Sequence, residues 1–429
     1  MMRIYDSYKD SGIEWIGEIP SHWESSKMKY DVLLVMGQSP DSDNYIDYDN
    51  GIPFLQGNTE FGLNYPSNNK WTKQVTKMTT IGDLLYSVRG SLGEMNWSDK
   101  EYCIGRGLCS IRPIHIDRFY TFYLLLTLKE EIKSIGVGST FLSISTDDIK
   151  NLFYFKPPIS EQEQIVSYLD EKTSLIDEMV EKKKRKIELL KEYKTSLINT
   201  VVTKGLNPDV PMKDSGIEWI GEIPRHWECV KGSRLGMYSK GSGIKKDEVV
   251  ETGIPCIRYG QIYTTYNHVV SEVFTFITLD TSKTSVRISN GTLLITGSGE
   301  LKKDIGKCIL YDGKEEIYVG GDIIILKPSS SYYPHYLTYL INSESIRIQK
   351  ELLSKGEIIV HIYQKNFYDM RFPLPPLSEQ EQIVSYLDEK TSEIDKTVEL
   401  ENKKIELLKE YRQSLISNVV TGKIKVVSE

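Results

Sequence analysis

Apolar residues recur at alternating spacings of four and three along two stretches of the chain. They are Ile176, Val180, Ile187, Leu190, Leu197 and Val201 in the first, and Ile394, Val398, Ile405, Leu408, Leu415 and Val419 in the second. This period predicts two long helices, each carrying a heptad seam. Polar residues interrupt both seams at equivalent places, Lys183 and Lys194 in one and Glu401 and Arg412 in the other. Pro157-Pro158 and Pro375-Pro376 stop whatever precedes the helices. Ser160 and Ser378 are expected as caps, with Glu163 and Glu381 three residues on to complete capping boxes. Gly205 and Gly422 follow as stop signals. From Ser160 to about Val202 such a helix is roughly 64 Å long.

Elsewhere the pattern is strand-like. Short apolar runs at 51–58, 82–93 and 108–111 leave through Gly-containing loops, and Phe119 to Ile132 has helical periodicity. The order returns loosely downstream, with runs at 253–261, 291–307 and 322–328 and a helix from about Pro334 to Glu351. Each stretch closes with a glycine (Gly138, Gly356), an apolar strand and the proline pair.

These parallels belong to an internal repeat. KDSGIEWIGEIPSHWE at Lys9 to Glu24 recurs at Lys213 to Glu228, with Ser21 replaced by Arg225. SEQEQIVSYLDEKTS recurs unchanged at Ser160 and Ser378, and IELLKEY recurs at Ile187 and Ile405. Constant frames thus carry two variable bodies. The expected division is a repeated segment at 1–24, body 1 at 25–155, a central helix at 156–205, a linker with the second repeated segment at 206–228, body 2 at 229–373, and a distal helix with tail at 374–429. The fold class is α+β: two mixed, strand-rich bodies separated by two long helices. Each lone helix would expose its stripe, so the two are expected to pair as an antiparallel coiled coil with an internal pseudo-twofold repeat.

Composition narrows the function. The 429 residues carry a net charge of -7, against bulk basicity as a means of coating nucleic acid. Residues 25–155 come to -2 and residues 229–372 to +3. No apolar stretch approaches a spanning helix and the opening residues hold no apolar signal region, so a cytoplasmic protein without membrane contact is expected. Five cysteines without a CxxC read as small buried hydrophobes rather than disulfides or zinc ligands. Tyr outnumbers Phe by 27 to 11, which hints at wet contact surfaces, with half-buried strand positions as the plainer alternative.

Polar clusters fall on expected loops: Gln56 and Asn58, Arg89 with Ser91, and Arg106 in the first body. In the second they are Lys245 and Lys246, Arg258 with Tyr259 and Gln261, and Lys302, Lys303 and Lys307 beside Ser298. Arg reads guanine and Gln or Asn reads adenine in the major groove. Any one cluster is more often a solvated turn, but recurrence at corresponding loops of both bodies favours base reading. Motifs of catalysis are missing: no GxxxxGK[ST], NPPY-like string, GxSxG or HExxH occurs. His22 and His226 are expected to pack beside Trp23 and Trp227, and Asp209 lacks the companion residues of a nuclease motif.

The SGIEWIGEIPxHWE blocks, the LLYSVRGSLG and LLITGSG strings, the PPxSEQEQIVSYLDEKT blocks and the VVTKG and VVTGK helix ends together resemble the specificity subunit of a type I restriction-modification system. The resemblance covers nearly the whole chain. It implies two target recognition domains, each reading half of a split double-stranded DNA target, and helices that bind two modification subunits, joined by restriction subunits. Methyl transfer from S-adenosylmethionine and cleavage with ATP and Mg would then lie in those partners, leaving this chain non-catalytic and without a cofactor or metal of its own. Body 2 departs from the family string GDLLxSxxGSxGK, having GTLLITGSGELKKDIGK, so its contact residues are less defined. A non-catalytic scaffold that holds two partner proteins without reading DNA is the alternative, but identical partners give no reason for its heads to diverge.

Overall fold

The computed structural model describes residues 4–47, 50–138 and 142–426. It divides into two compact units, one of Met1–Lys183 with Lys403–Glu429 and one of Lys184–Asn402. Each unit therefore holds one variable body, part of the central helix (Ile159–Lys204) and part of the distal helix (Leu377–Val420).

In the first unit an antiparallel sheet runs in the order Val32–Met36, Leu108–Pro113, Leu84–Ser87, Met95–Trp97. Its middle strands are buried on both faces, which is why LLYS and LCSI read as continuous apolar runs rather than alternations. A second sheet orders Cys103–Ile104, Ile52–Leu55, Trp71–Thr72 and Tyr45–Ile46. The second unit repeats the plan with two five-stranded sheets. One is centred on Thr292–Thr296 between Ile323–Pro328 and Cys308–Tyr311, the other on Ile254–Ile257. Four of the five cysteines are buried and all are free thiols.

The single helix expected after each sheet is two. Arg118–Thr127 is followed by Lys129–Ile135, and Pro334–Asn342 by Glu344–Leu353. In the second unit the break falls at Ser343, which leaves the helical region at φ −69°, ψ 158°. There Asn342 turns its amide onto the Cys308 backbone, accepting from N at 2.9 Å and donating to O at 2.7 Å.

The helices pair antiparallel within each unit. In the first, Arg412 faces Asp177 at 2.9 Å, and Leu415 and Val419 share a core with Ile165, Leu169 and Ile176. In the second, Lys194 faces Asp395 at 2.6 Å and Lys186 faces the buried Glu401 at 2.9 Å. The polar interruptions Lys194, Glu401 and Arg412 are thus interhelical ion pairs. Among the seam residues Ile176, Val180, Ile187, Val201, Ile394, Ile405, Leu415 and Val419 are buried, and Leu190, Leu197, Val398 and Leu408 are half-buried.

Among the described residues neither expected capping box is formed. Both helices begin before the serines, at Ile159 and Leu377, leaving Ser160, Glu163, Ser378 and Glu381 exposed. Instead the buried Gln162 donates to Pro157 O at 2.8 Å and accepts from Asp117 N at 2.8 Å. Gln380 does the same with Pro375 O at 2.9 Å and Tyr333 N at 2.8 Å. The first turn is tied to the body rather than to itself. Among the described residues no helix is long and apolar enough to cross a membrane.

Asp83 shows how the first sheet is pinned. Its buried carboxylate takes a bidentate pair from Arg112 at 2.8 Å on each oxygen, with Ser110 Oγ at 2.6 Å and Thr80 N at 2.8 Å. Burial pushes its pKa up, but the Arg112, Ser110 and Thr80 donors outweigh this and hold it below the ordinary value. A depressed folded pKa means the carboxylate stabilises above the unfolded pKa and loses that contribution as pH falls. Asp83→Ala should cost the first unit about 3 kcal/mol, the low end for a broken buried pair because Arg112 stays partly solvated. Denaturant unfolding at pH 7 and pH 3 checks it: the gap between wild type and variant should shrink at the lower pH.

Candidate nucleic-acid interface and helix frame

In the first body three loops are stitched into one rim by backbone bonds. Gly105 N donates to Leu55 O at 2.8 Å, Gly107 N to Gln56 O at 3.3 Å, and Val88 N to Gly107 O at 2.9 Å. Arg89 adds a bridge to Ser143. The rim gathers Gln56, Asn58, Arg89, Ser91 and Arg106, of which all but the half-buried Asn58 are exposed. Arg89 and Arg106 stand out from it as cations, since neither makes an ion pair among the described residues.

The second body builds the same rim from other residues. Gly320 N donates to Ile257 O at 2.9 Å, Gly297 N to Asp322 O at 2.7 Å, and Ile362 N to Gly297 O at 3.0 Å. The last matches Ile144 N to Val88 O at 3.1 Å in the first body. Lys245, Lys246, Tyr259, Lys302 and Lys303 are exposed and Arg258 is half-buried, its Nε without a partner.

Three of the expected contact residues are engaged inside the body. Gln261 closes the first turn of Tyr259–Thr264 by accepting from Arg258 N at 2.9 Å, and its amide nitrogen donates to Thr275 Oγ1. Ser298 is buried against His361 Nδ1 at 2.9 Å. Lys307 donates to Tyr266 O at 2.8 Å, and burial lowers its pKa. Sequence position cannot reveal partners that lie 14, 63 and 41 residues away.

The apolar strand expected between Gly356 and the proline pair is Arg371–Leu374, paired with Glu228–Lys231, and the apolar run directly after Gly356 is split. Only Val360–His361 pairs, with Ser298–Gly299, while Ile358 is 89% exposed and Ile359 and Tyr363 are also exposed. This hairpin borders a cleft lined by Lys240, Ser298, His361, Tyr363, Gln364 and Lys365, a part of the rim that sequence reasoning missed. Its signal was Ile-Ile between Glu357 and Val360 in a segment too short for a central strand. The corresponding segment after Gly138 lies partly outside the described residues.

The repeated blocks hold the bodies to the helices. Glu161 accepts from Trp23 Nε1 at 3.2 Å and from Tyr5 Oη, and meets His22 Nε2 at 2.9 Å. Glu379 repeats this with Trp227 Nε1 at 3.1 Å and His226 Nε2 at 2.8 Å. Each HWE string is thus read by a first-turn carboxylate, and the histidines are hydrogen-bonded rather than merely packed.

Two rims of related backbone design, each on a helix frame of nearly constant sequence, define a duplicated two-body module. A profile described as the type I restriction modification DNA specificity domain matches residues 20–189 and again 224–410, and the chain belongs to that family. It is 35% identical over 204 residues to a specificity subunit of a type I restriction enzyme (MjaX) of Methanocaldococcus jannaschii, a match spanning 46% of either chain, so about half that relative's length. To the MjaVIII specificity subunit of the same organism it is 23% identical over 444 residues, 99% of both. A solved structure concerned with assembly and conformational transition of the type I R-M system contains a chain of the same fold. The TM-score is 0.73 at 15% identity, over 94% of this chain and 98% of that one.

Removing the carboxylate tests the frame. Glu161→Ala strands Tyr5, Trp23 and His22, and Glu379→Ala strands Trp227 and His226. Losing the acceptor of a buried donor costs about 1–3 kcal/mol, so indole N–H exchange should accelerate roughly tenfold or more at the Trp beside the mutated glutamate and not at the other.

Proposed function

We propose that this chain is the non-catalytic reading subunit of a type I restriction-modification complex, each body reading one half of a bipartite duplex target. The observation that carries this is the pair of rims. Three backbone bonds recur at equivalent places, from Gly105 N and Gly320 N, Val88 N and Gly297 N, and Ile144 N and Ile362 N, while the side chains they present differ: Arg89, Arg106 and Gln56 in one, Lys302, Lys303, Arg258 and Tyr259 in the other. A geometry held by main chain and varied by side chain suits sequence discrimination. A pure scaffold for identical partners would not need it.

The helices supply a place for two modification subunits. Leu189 and Tyr193 lie four apart and about half-exposed on the central helix, and Leu407 and Tyr411 repeat them on the distal helix. They belong to the duplicated IELLKEY strings, whose inward Ile187 and Ile405 fill the seam. An outward apolar pair on a second face has no use within the helix pair and suits a partner that docks twice. Methyl transfer, with S-adenosylmethionine, and ATP- and Mg-dependent cleavage belong to the modification and restriction partners in this reading. The net charge of -7 leaves phosphate neutralisation largely to those partners.

Native mass measurement of the reconstituted complex should give two modification subunits per chain. Leu189→Asp with Tyr193→Ala should leave one, the site at 407–411 being intact; retention of two would remove these residues from the interface. For reading, Arg89→Ala should cost about 1–3 kcal/mol on the cognate duplex and relax one position in one half of the methylated motif. Sequencing of methylated sites checks it, and uniform weakening on all duplexes would make Arg89 a phosphate contact instead.

A further inference from the structure

The reading loop of each body leaves one strand of the main sheet and returns on its antiparallel neighbour. Its root is closed by a main-chain bond, Ser87 N to Glu94 O at 2.9 Å and Thr296 N to Lys307 O at 3.0 Å. Just before the return strand stands a glycine in the left-handed region, Gly93 at φ +84° and Gly306 at φ +73°. In both bodies a lysine from the second of the paired helices lays its aliphatic stem over that glycine. A Cβ on Gly93 would sit 3.1 Å from Lys129 Cγ, and one on Gly306 2.7 Å from Lys350 Cδ. The bodies are diverged in sequence around this point, yet the device is the same.

The two lysines end differently. Lys129 reaches Glu94 Oε1 at 2.8 Å, a partly exposed pair. Lys350 is 3% exposed, no carboxylate lies within ion-pair distance of it among the described residues, and its ammonium donates to Gly306 O at 2.8 Å. A buried cation without a counter-charge is costly, and a methionine would fill the same space without that cost. What the ammonium adds is a charge-assisted donor aimed at the exit of the loop that carries Lys302 and Lys303. The same loop is met from its other side by Tyr263 Oη, which lies 3.0 Å from Ser298 O and 3.3 Å from Asp304 O, with one proton to share between them.

We propose that Lys350, and Lys129 in the other body, are positioning residues that fix the exit of the reading loop, so that their loss relaxes base discrimination only in the half-site read by their own body. The inference rests on the reading function proposed above. It also carries a pH signature. Burial, with a smaller push from Arg347 and partly countered by Cys308 and Glu351, lowers the Lys350 pKa to about 8. The groups facing the ammonium are the buried Cys308 thiol on the return strand, itself pushed well up by burial, and Arg347 and Glu351 on its own helix. Between pH 8 and the ordinary lysine range the unfolded chain binds the extra proton, so this group's contribution to stability rises with pH while its charged donor to Gly306 is lost. Stability and discrimination therefore move in opposite directions.

The experiment uses the complete methyltransferase complex on a duplex library randomised in both half-sites, read by sequencing methylated products. Lys350→Met should fold as well as wild type and lose about tenfold of its preference for the favoured bases in one half-site, leaving the other unchanged. Lys129→Met should do the reverse, and less strongly. In the wild type, raising pH from 7 to 9 should relax the Lys350 half-site more than the other, and the Lys350→Met complex should lack that difference. Unaltered preferences in a folded Lys350→Met complex would overturn the clamp. If the variant does not fold, equal response of the two wild-type halves to pH would overturn it instead. A wild type that methylates with no half-site preference would overturn the reading function itself.

Discussion

Four tyrosine hydroxyls join the variable bodies to the ends and starts of the constant helices, alongside the first-turn Gln162 and Gln380 amides. Tyr120 donates to Val420 O at 3.3 Å and Tyr336 to Val202 O at 3.0 Å, in each case a carbonyl in the last turn of a long helix. Those carbonyls have no partner within the helix and would be left unsatisfied in a buried joint. One turn on, Tyr123 donates to Asp170 at 2.6 Å and Tyr339 to Asp388 at 2.7 Å, on the opposite helix of the pair. Each body is thereby held by both helices of its unit. A phenylalanine could fill the volume but would leave helix ends and body unregistered.

The joint gives meaning to the polar interruptions of the seam. Lys194–Asp395 and Arg412–Asp177 occupy equivalent positions in the two copies, so the repeat meets itself with complementary charge when the helices run antiparallel. A parallel, in-register pair would set Lys194 against Arg412 and Asp177 against Asp395. Hydrophobic heptads alone do not choose between these arrangements, and the charges do. With direction chosen, each tyrosine pair finds the end of one helix and the start of the other in the same unit.

What was legible in the sequence was whatever repeats or has a period. The heptad stripe placed both helices, the buried apolar runs placed the central strands, and the duplicated blocks placed the frames. What was not legible depended on partners distant along the chain. Ser160 and Glu163 have the spacing of a capping box, but the helix starts one residue earlier, at Ile159, with Glu161 N and Gln162 N donating to Pro158 O, while Gln162 ties that first turn to the body through Asp117 N. Ser298, Lys307 and Gln261 have the chemistry of base readers, yet His361, Tyr266 and Thr275 hold them inside. The tyrosine excess suggests wet surfaces or half-buried strands, and Tyr120, Tyr123, Tyr336 and Tyr339, buried at the helix joint, belong to neither.

The division between legible and hidden is also a division of labour. The loop roots are closed by main-chain donors and acceptors, Ser87 with Glu94 and Thr296 with Lys307, Val88 with Gly107 and Gly297 with Asp322. A main-chain bond imposes almost no requirement on the side chain of either partner. Residues between such bonds can therefore change, or increase in number as they do between Gly299 and Ile305, without moving the strands that carry them. The side chains that must stay are those contacting something outside their own loop: the tyrosines at the helix ends, the first-turn glutamates beneath each HWE string, and the lysine over each left-handed glycine. The two bodies can therefore diverge in sequence while the backbone bonds at their loop roots stay the same.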